Sequence, residues 1–433
     1  MNQMLRRDFF KTAAAAAAAA ALPKYSMANL AADQRLKIAI VGCGRSGFNA
    51  AKTLMEIDDE ISITALADAF EDCAISLHKR LSDISSSRGE FALNKYAVKQ
   101  DTIFTGLDCC QKALQTNPDI IVLATPPVFR PDEVKAAVAK NVHIFMEKPV
   151  CVDPVQARRM YALAKEAEAK KLTVISGVQR RYHAGYREAV KRLQDGQIGE
   201  ILGAQCFWML PHFDGMDLKT PPDADPEQLE YQLRNWGLFT WTCGDHIVEQ
   251  QVHNLDVINW ALNRDPKFVN GIGGRALSLS MPQYGNRFSH FSIDYDYGAD
   301  VHLQSVCRQE PSTSHLVLER IFGTKGVFET NLFSGQQIRG ENNWIAGESP
   351  DPAIEMHRTL LKSVRNGEAV NTMKTMTDSS MLAIAGRLSA YSGLRFKYKW
   401  AKLRSKESLF DGKLEFGKKP IAPLPVPGEY KLV

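Results

Sequence analysis

The chain has 433 residues, 45% of them apolar and 24% charged. That is ample for a buried core, too long for a single compact domain to be the default expectation, and unlike a disordered composition. The formal net charge is +4, but four basic residues and one acid fall within residues 1–28; the remainder has 49 basic and 48 acidic residues, a net +1, which leaves no basic field for nucleic acid or anionic lipid.

Arg6-Arg7-Asp8-Phe9-Phe10-Lys11 opens the chain and is followed by an apolar run from Ala13 to Leu22. A twin arginine, an aromatic pair, a lysine and a short apolar core resemble a twin-arginine export signal, and the run is too short to span a bilayer. Small residues at Ser26-Met27-Ala28 place cleavage after Ala28. The mature protein is therefore expected in the periplasm, or otherwise exported, with no membrane span. Of eight cysteines none forms a C-x-x-C pair, and the adjacent Cys109-Cys110 are badly placed for a disulfide, so buried free thiols are expected.

From Lys37 the pattern alternates. Short apolar runs at Lys37–Val41, Ile61–Ala67, Asp119–Ala124, Val142–Met146 and Leu172–Gly177 read as buried parallel strands. Helical stretches at Phe48–Ile57, Glu71–Leu81, Pro131–Lys140 and Asp153–Lys170 separate them, with a polar insertion at Ser85–Ala97. This predicts an α/β Rossmann domain over residues 35–180. The pattern then changes: Ile201–Leu210, Ser289–Tyr297, Val301–Cys307, Leu316–Phe322 and Val327–Thr330 read as strands, the second alternating cleanly, and helices at Pro352–Asn366 and Thr377–Tyr391 close the unit. Residues 181–400 are expected to form an α+β domain with an open, mainly antiparallel sheet, followed by an extended, proline-rich tail over 401–433.

Gly42-Cys43-Gly44-Arg45-Ser46-Gly47 follows the first strand and opens the first helix. In that context the glycines have separate tasks: Gly42 permits a tight turn, Gly44 lets the backbone approach a pyrophosphate, and Gly47 lets helix and strand pack closely. The helix start, with Arg45 and Ser46, offers N–H groups to phosphates. Asp68 ends the second strand, 21 residues after Gly47, where a carboxylate accepts the adenosine ribose hydroxyls and repels a 2′-phosphate. NAD is expected in preference to NADP.

Two further segments carry chemistry. Glu147-Lys148-Pro149 sits at the carboxyl end of a predicted parallel strand, where ligands of open α/β sheets bind. The proline fixes the backbone there and is a candidate for a cis bond. Within Gly244–Asp256, Glu249, His253 and Asp256 fall at i, i+4 and i+7, one helical face, and His246 shares it. A carboxylate and an imidazole one turn apart suit removal of a hydroxyl proton from a carbon that loses hydride. The same His246, Glu249 and His253 permit a metal reading, although the spacing is no standard zinc motif and no H-E-x-x-H occurs; no metal is assigned. Trp236, Phe239 and Trp241 just before this helix, with Arg234 and Asn235, suggest flat surfaces and polar groups for a sugar, shaped further by the loop His212–Gln228.

Together, the glycine turn, Ala124-Thr125-Pro126-Pro127, Glu147-Lys148-Pro149, Gln179-Arg180-Arg181-Tyr182 and the Glu249/His253/Asp256 helix are similar in kind and order to the Gfo/Idh/MocA oxidoreductases, the glucose-fructose oxidoreductase and inositol dehydrogenase group. The resemblance implies hydride transfer with a nicotinamide dinucleotide. It implies Lys148 and His253 as acid/base residues, Thr125 and Pro126 beside the cofactor, and Arg181 and Tyr182 near the active-site cleft, with self-association through a broad sheet face. Asp256, Trp236 and Trp241 complete the expected substrate surroundings, and Glu147 those of the cofactor. The chain departs from the family at Glu249, where aspartate is usual, and at Arg130, where histidine is frequent. An exported enzyme would meet no pool of free dinucleotide, so a tightly held cofactor is expected, serving an oxidoreductase for a sugar, glycoside or polyol. The alternatives are a redox-neutral NAD-dependent glycosidase and a non-catalytic sugar-binding protein.

Overall fold

The computed structural model describes residues 35–87, 95–211, 217–221, 223–331, 335–410 and 412–433. The twin-arginine segment with its cleavage site lies outside the described residues, as do 88–94 of the polar insertion and 212–216 and 222 of the loop before the catalytic helix.

Six strands form the first sheet: β1 (Leu36–Val41), β2 (Ile61–Asp68), β3 (Ile103–Thr105), β4 (Ile120–Leu123), β5 (His143–Met146) and β6 (Val174–Ser176). Every pairing is parallel and the spatial order is β3-β2-β1-β4-β5-β6. Helices cover both faces, so the central strands read as unbroken apolar runs; all of β4 is buried. This order places a crevice at the carboxyl ends of β1 and β4, where the winding reverses.

Nine strands form the second sheet: β7 (Ile201–Leu210), β8 (Phe268–Gly274), β9 (His290–Asp296), β10 (His302–Gln309), β11 (Leu316–Gly323), β12 (Gly326–Asn331), β13 (Gly335–Gly340), β14 (Trp344–Ile345) and β15 (Phe396–Lys397). Their order is β14-β13-β12-β11-β7-β10-β9-β8-β15, and only the β7–β10 pair runs parallel. The alternation in β9 is realised: Phe291, Ile293 and Tyr295 are buried, while the intervening polar residues are partly exposed.

Helix Met373–Ser392 is buried nearly all round and packs against β8, β9 and helix Pro154–Ala169, which joins the two sheets through one core. The chain also returns to the first domain. Met356 and Leu360 of helix Pro352–Asn366 share a core with Ile38 and Leu54, and Arg365 pairs with Asp58. The tail is largely extended beyond a short helix, Tyr398–Leu403, but it is held to the body. Arg387, 0% exposed, donates to the carbonyls of Val152 and Gly244 and to the tail's Glu407. All eight cysteines are free, and seven are buried.

Candidate functional site

The glycine turn has the geometry its residues dictate. Gly42 takes φ +93°, and a Cβ there would sit 2.5 Å from the Ala124 carbonyl carbon. A Cβ on Gly47 would lie 1.9 Å from the Gly42 carbonyl oxygen, so helix Arg45–Ile57 can approach β1 only with glycine there. A Cβ on Gly44 would meet nothing within 4 Å, because that side opens into a cleft of about 980 Å³. The helix begins without a side-chain cap, and Arg45 and Ser46 are exposed on its first turn. Asp68 lines the cleft, its carboxylate accepting from the N–H groups of Cys43 (2.7 Å) and Phe70 (3.0 Å). Burial pushes the Asp68 carboxyl up, opposed by those two hydrogen bonds. An open-sided glycine, an uncapped helix start and a carboxylate at the next strand end fit a dinucleotide laid across the turn.

Thr125 and Pro126 line the same cleft at the end of β4. Arg130 explains itself here: fully buried, it donates to the carbonyls of Leu123 (2.6 Å) and Thr125 (2.8 Å), while Thr125 Oγ1 donates to Glu133 (2.7 Å). Arginine braces the turn from below. The adjacent strand β5 ends at Met146 and leads into Lys148, whose bond to Pro149 is cis. Glu147 is turned toward β6: a Cβ on Gly177 would come within 2.5 Å of its carboxylate.

Lys148 is where two distant segments meet. Its Nζ donates to the Glu249 carbonyl (2.6 Å) and to Glu249 Oε1 (3.0 Å). An ammonium has three donors, so one N–H remains for a ligand. Glu249 lies in a π-helical turn, Ile247–Gln251, and His253 in the α-helix that follows, Val252–Leu262. The His253 ring is stacked on Trp208 of β7 at 5.5 Å and 20°, and neither of its nitrogens hydrogen-bonds to a described residue. Burial, with the nearby positive charges of Lys148 and Arg180, holds the imidazole well below its ordinary pKa, so the ring is neutral and able to accept a proton.

The structure thus brings Lys148, Glu249 and His253 together and moves other residues away. His246 does not share their face. The π turn adds a residue to the helical circuit, and His246 is fully buried, with Nδ1 3.2 Å from the Phe288 carbonyl. Among the described residues no group of three His, Cys, Asp or Glu side chains is arranged to hold a metal ion.

Asp256 is also corrected. It is 0% exposed, paired with Arg181 through Nε (2.8 Å) and Nη2 (2.9 Å) and bonded by Ser379 (2.7 Å), which makes it a tie between elements rather than a substrate contact. Arg181 and Tyr182 consequently line a separate cavity of about 270 Å³, with Arg181 over Trp260 at 4.9 Å. Trp241 does not offer a sugar platform. Phe410 stacks on it at 5.9 Å and 25°, Lys419 Nζ lies 4.6 Å from its ring centre, and its Nε1 donates to Gln232. Trp236 lines the dinucleotide cleft.

Two residues that the sequence did not single out belong near the chemistry. Trp208 sits on the helix-facing side of β7, a place that the strand's period marks only once its neighbours are known. Arg180 lies 5.8 Å over the Trp208 ring and donates to Asn254 Oδ1 at 3.0 Å, so the arginine nearest His253 is the first of the Arg180-Arg181 pair.

Comparison with known proteins agrees with this geometry. Residues 36–176 match the GFO_IDH_MocA family, described as an oxidoreductase family with an NAD-binding Rossmann fold. An inositol 2-dehydrogenase of Salmonella typhimurium is 24% identical over 244 residues, 56% of this chain and 60% of that protein, so the match spans less than two thirds of that relative. A dTDP-3,4-didehydro-2,6-dideoxy-alpha-D-glucose 3-reductase of Actinomadura kijaniata is 23% identical over 346 residues, covering 79% of this chain and 91% of that one. The crystal structure of aldose-aldose oxidoreductase from Caulobacter crescentus complexed with glycerol covers 84% of this chain and all of its own at a TM-score of 0.62 and 16% identity, a likeness of fold. Over residues 36–176 the chain is therefore similar to the NAD-binding Rossmann domain of the GFO_IDH_MocA oxidoreductase family, and a mainly antiparallel sheet domain follows it.

Proposed function

We propose that this protein is an NAD(P)-dependent oxidoreductase acting on a secondary hydroxyl of a sugar, glycoside or polyol. One observation carries the reading: Lys148, at the carboxyl end of β5, is hydrogen-bonded to Glu249 one helical turn from a neutral His253 whose ring nitrogens bond to no described residue. A bound nicotinamide dinucleotide would accept the hydride, or return it. His253 takes the hydroxyl proton as the hydride leaves its carbon, because a neutral imidazole is the available base. The remaining N–H of Lys148 holds the same oxygen as it becomes a carbonyl, and Glu249 fixes the ammonium in place. In the reverse direction the imidazolium returns the proton.

Asp68 supports a preference for NAD, since a carboxylate at the end of the second strand repels a 2′-phosphate. The twin-arginine segment supports export to the periplasm with the cofactor already loaded, and the broad second sheet supports a homo-oligomer. No described helix is long and apolar enough to cross a membrane. Retention of the cofactor requires each oxidation to be balanced by a reduction at the same site, of a second substrate or of the same one.

The test is to incubate the purified full-length protein, loaded with dinucleotide, with a panel of free sugars, polyols and glycosides, following reduced-nicotinamide absorbance alongside product mass. Reduction by at least one of them, lost in His253→Ala, is the expected result. Absence of reduction or product across the panel, in protein that demonstrably holds dinucleotide, contradicts the proposal and favours a sugar-binding role.

A further inference from the structure

The cleft across the glycine turn has a floor from the first domain and a roof from elsewhere. Arg234 and Trp236, from the segment before the catalytic helix, line one side of the opening, and Phe410 and Leu414, from the tail, line another. These groups meet the first domain at its adenosine end. Arg234 Nη1 and Nη2 are each 3.0 Å from the Asp72 carboxylate, and its guanidinium lies 4.0 Å over the Phe70 ring. Phe70 and Asp72 stand two and four residues beyond Asp68. Phe416 of the tail meets Phe70 at 6.3 Å.

The tail is tied along its length. Phe410 packs edge-on against Phe129 at 6.2 Å as well as face-on against Trp241. The Leu409 N–H donates to Asp153 (2.9 Å), the Leu229 N–H to the Gly417 carbonyl (2.8 Å) and Gln232 Nε2 to the Lys419 carbonyl (2.6 Å). Each contact alone is weak; an exposed ion pair and a single aromatic pair hold little in water. A ligand lying beneath all of them leaves only when they open together, and that makes escape slow.

We propose that Arg234, with Phe410 and Phe416 of the tail, forms a clamp over the adenosine half of the cleft that makes the dinucleotide a resident group rather than an exchanging co-substrate. This rests on the reading of the cleft as a dinucleotide site and assigns binding residues to parts of the chain outside the Rossmann domain.

The experiment measures exchange of bound dinucleotide. Full-length protein is loaded with isotopically labelled NAD, chased with excess unlabelled NAD, and the label remaining is followed over time in wild type, Arg234→Gln, Arg234→Lys and Phe410→Ala. Thermal unfolding of each dinucleotide-free variant is recorded alongside. Wild type is expected to keep its label over many hours, Arg234→Gln and Phe410→Ala to release it at least tenfold faster with unfolding temperatures close to wild type, and Arg234→Lys to fall between. Raised salt should speed release from wild type more than from Arg234→Gln, because in wild type it also screens the Arg234–Asp72 pair. If Phe410→Ala fails to fold, the Arg234 variants and the salt series decide the matter. Equal release from wild type and Arg234→Gln, or loss of label from wild type within seconds, overturns the clamp while leaving hydride transfer intact. A wild-type protein that takes up no NAD overturns the clamp and the dinucleotide reading together.

Discussion

The glycine-turn end and the chemical end of the candidate site are built by opposite strategies. The glycine-turn end is made by backbone within a short stretch of chain: Gly42, Gly44 and Gly47 act through the space their missing side chains leave, and Asp68 is placed by one strand. The chemical end is made by side chains from far apart. Lys148 meets Glu249 across 101 residues, and His253 rests on Trp208 of another strand. A site held by local backbone should fail by unfolding or by losing its ligand. A site assembled from distant side chains should lose chemistry while the fold stands.

The largest effect expected is at the chemical end. His253→Ala and Lys148→Ala should each lower kcat by about 10²–10⁴-fold, the usual contribution of a positioned acid or base, while labelled NAD is still retained. Loss of retention in His253→Ala would show that the two ends do not act separately.

Next in size is Asp256→Ala, which leaves the Arg181 charge without its partner inside the protein. A loss of about 3 kcal/mol in unfolding free energy is expected, read by denaturant titration, with KM little changed among molecules that remain folded. A large rise in KM without loss of stability would return Asp256 to the substrate.

The glycines sharpen the contrast further. Gly42→Ala forces a side chain into positive φ and against Ala124, and should cost about 1–3 kcal/mol of stability. Gly44→Ala has open space and should leave the unfolding temperature nearly unchanged while weakening dinucleotide binding, which calorimetric titration would measure.

The smallest effect concerns protons. Because His253 is held well below the ordinary histidine pKa, the acid limb of kcat/KM should lie below about 6.5, activity being present above the lowered pKa and lost as pH falls through it. Removing the neighbouring charge with Lys148→Gln should move the His253 midpoint upward, as followed by ring-proton NMR.

These regions also differ in how far the sequence discloses them. The Rossmann sheet, its glycine turn and the cis Lys148–Pro149 corner are legible because each is a local pattern whose physics is complete within a few residues. The face of the catalytic helix is not. Period-3.6 spacing says which residues lie together on a regular helix, but a π turn at Ile247–Gln251 rotates His246 away. Nothing in the spacing shows that Asp256 points to Arg181 rather than to the cleft. Trp241 illustrates the same limit: an aromatic beside a site can be a platform or a wall, and here Phe410, 169 residues later, decides it. Strand β8 escaped notice because three glycines interrupt its alternation, and β14 and β15 are two residues each.

An experimentally determined structure of the full chain with NAD and a substrate-like polyol bound would test the pairing of Lys148 with His253 over one reacting carbon. The nicotinamide ring is expected to face the space between Lys148 Nζ and the His253 imidazole, with one polyol oxygen within hydrogen-bond reach of both. A ring lying elsewhere, or a polyol that touches neither side chain, would contradict it.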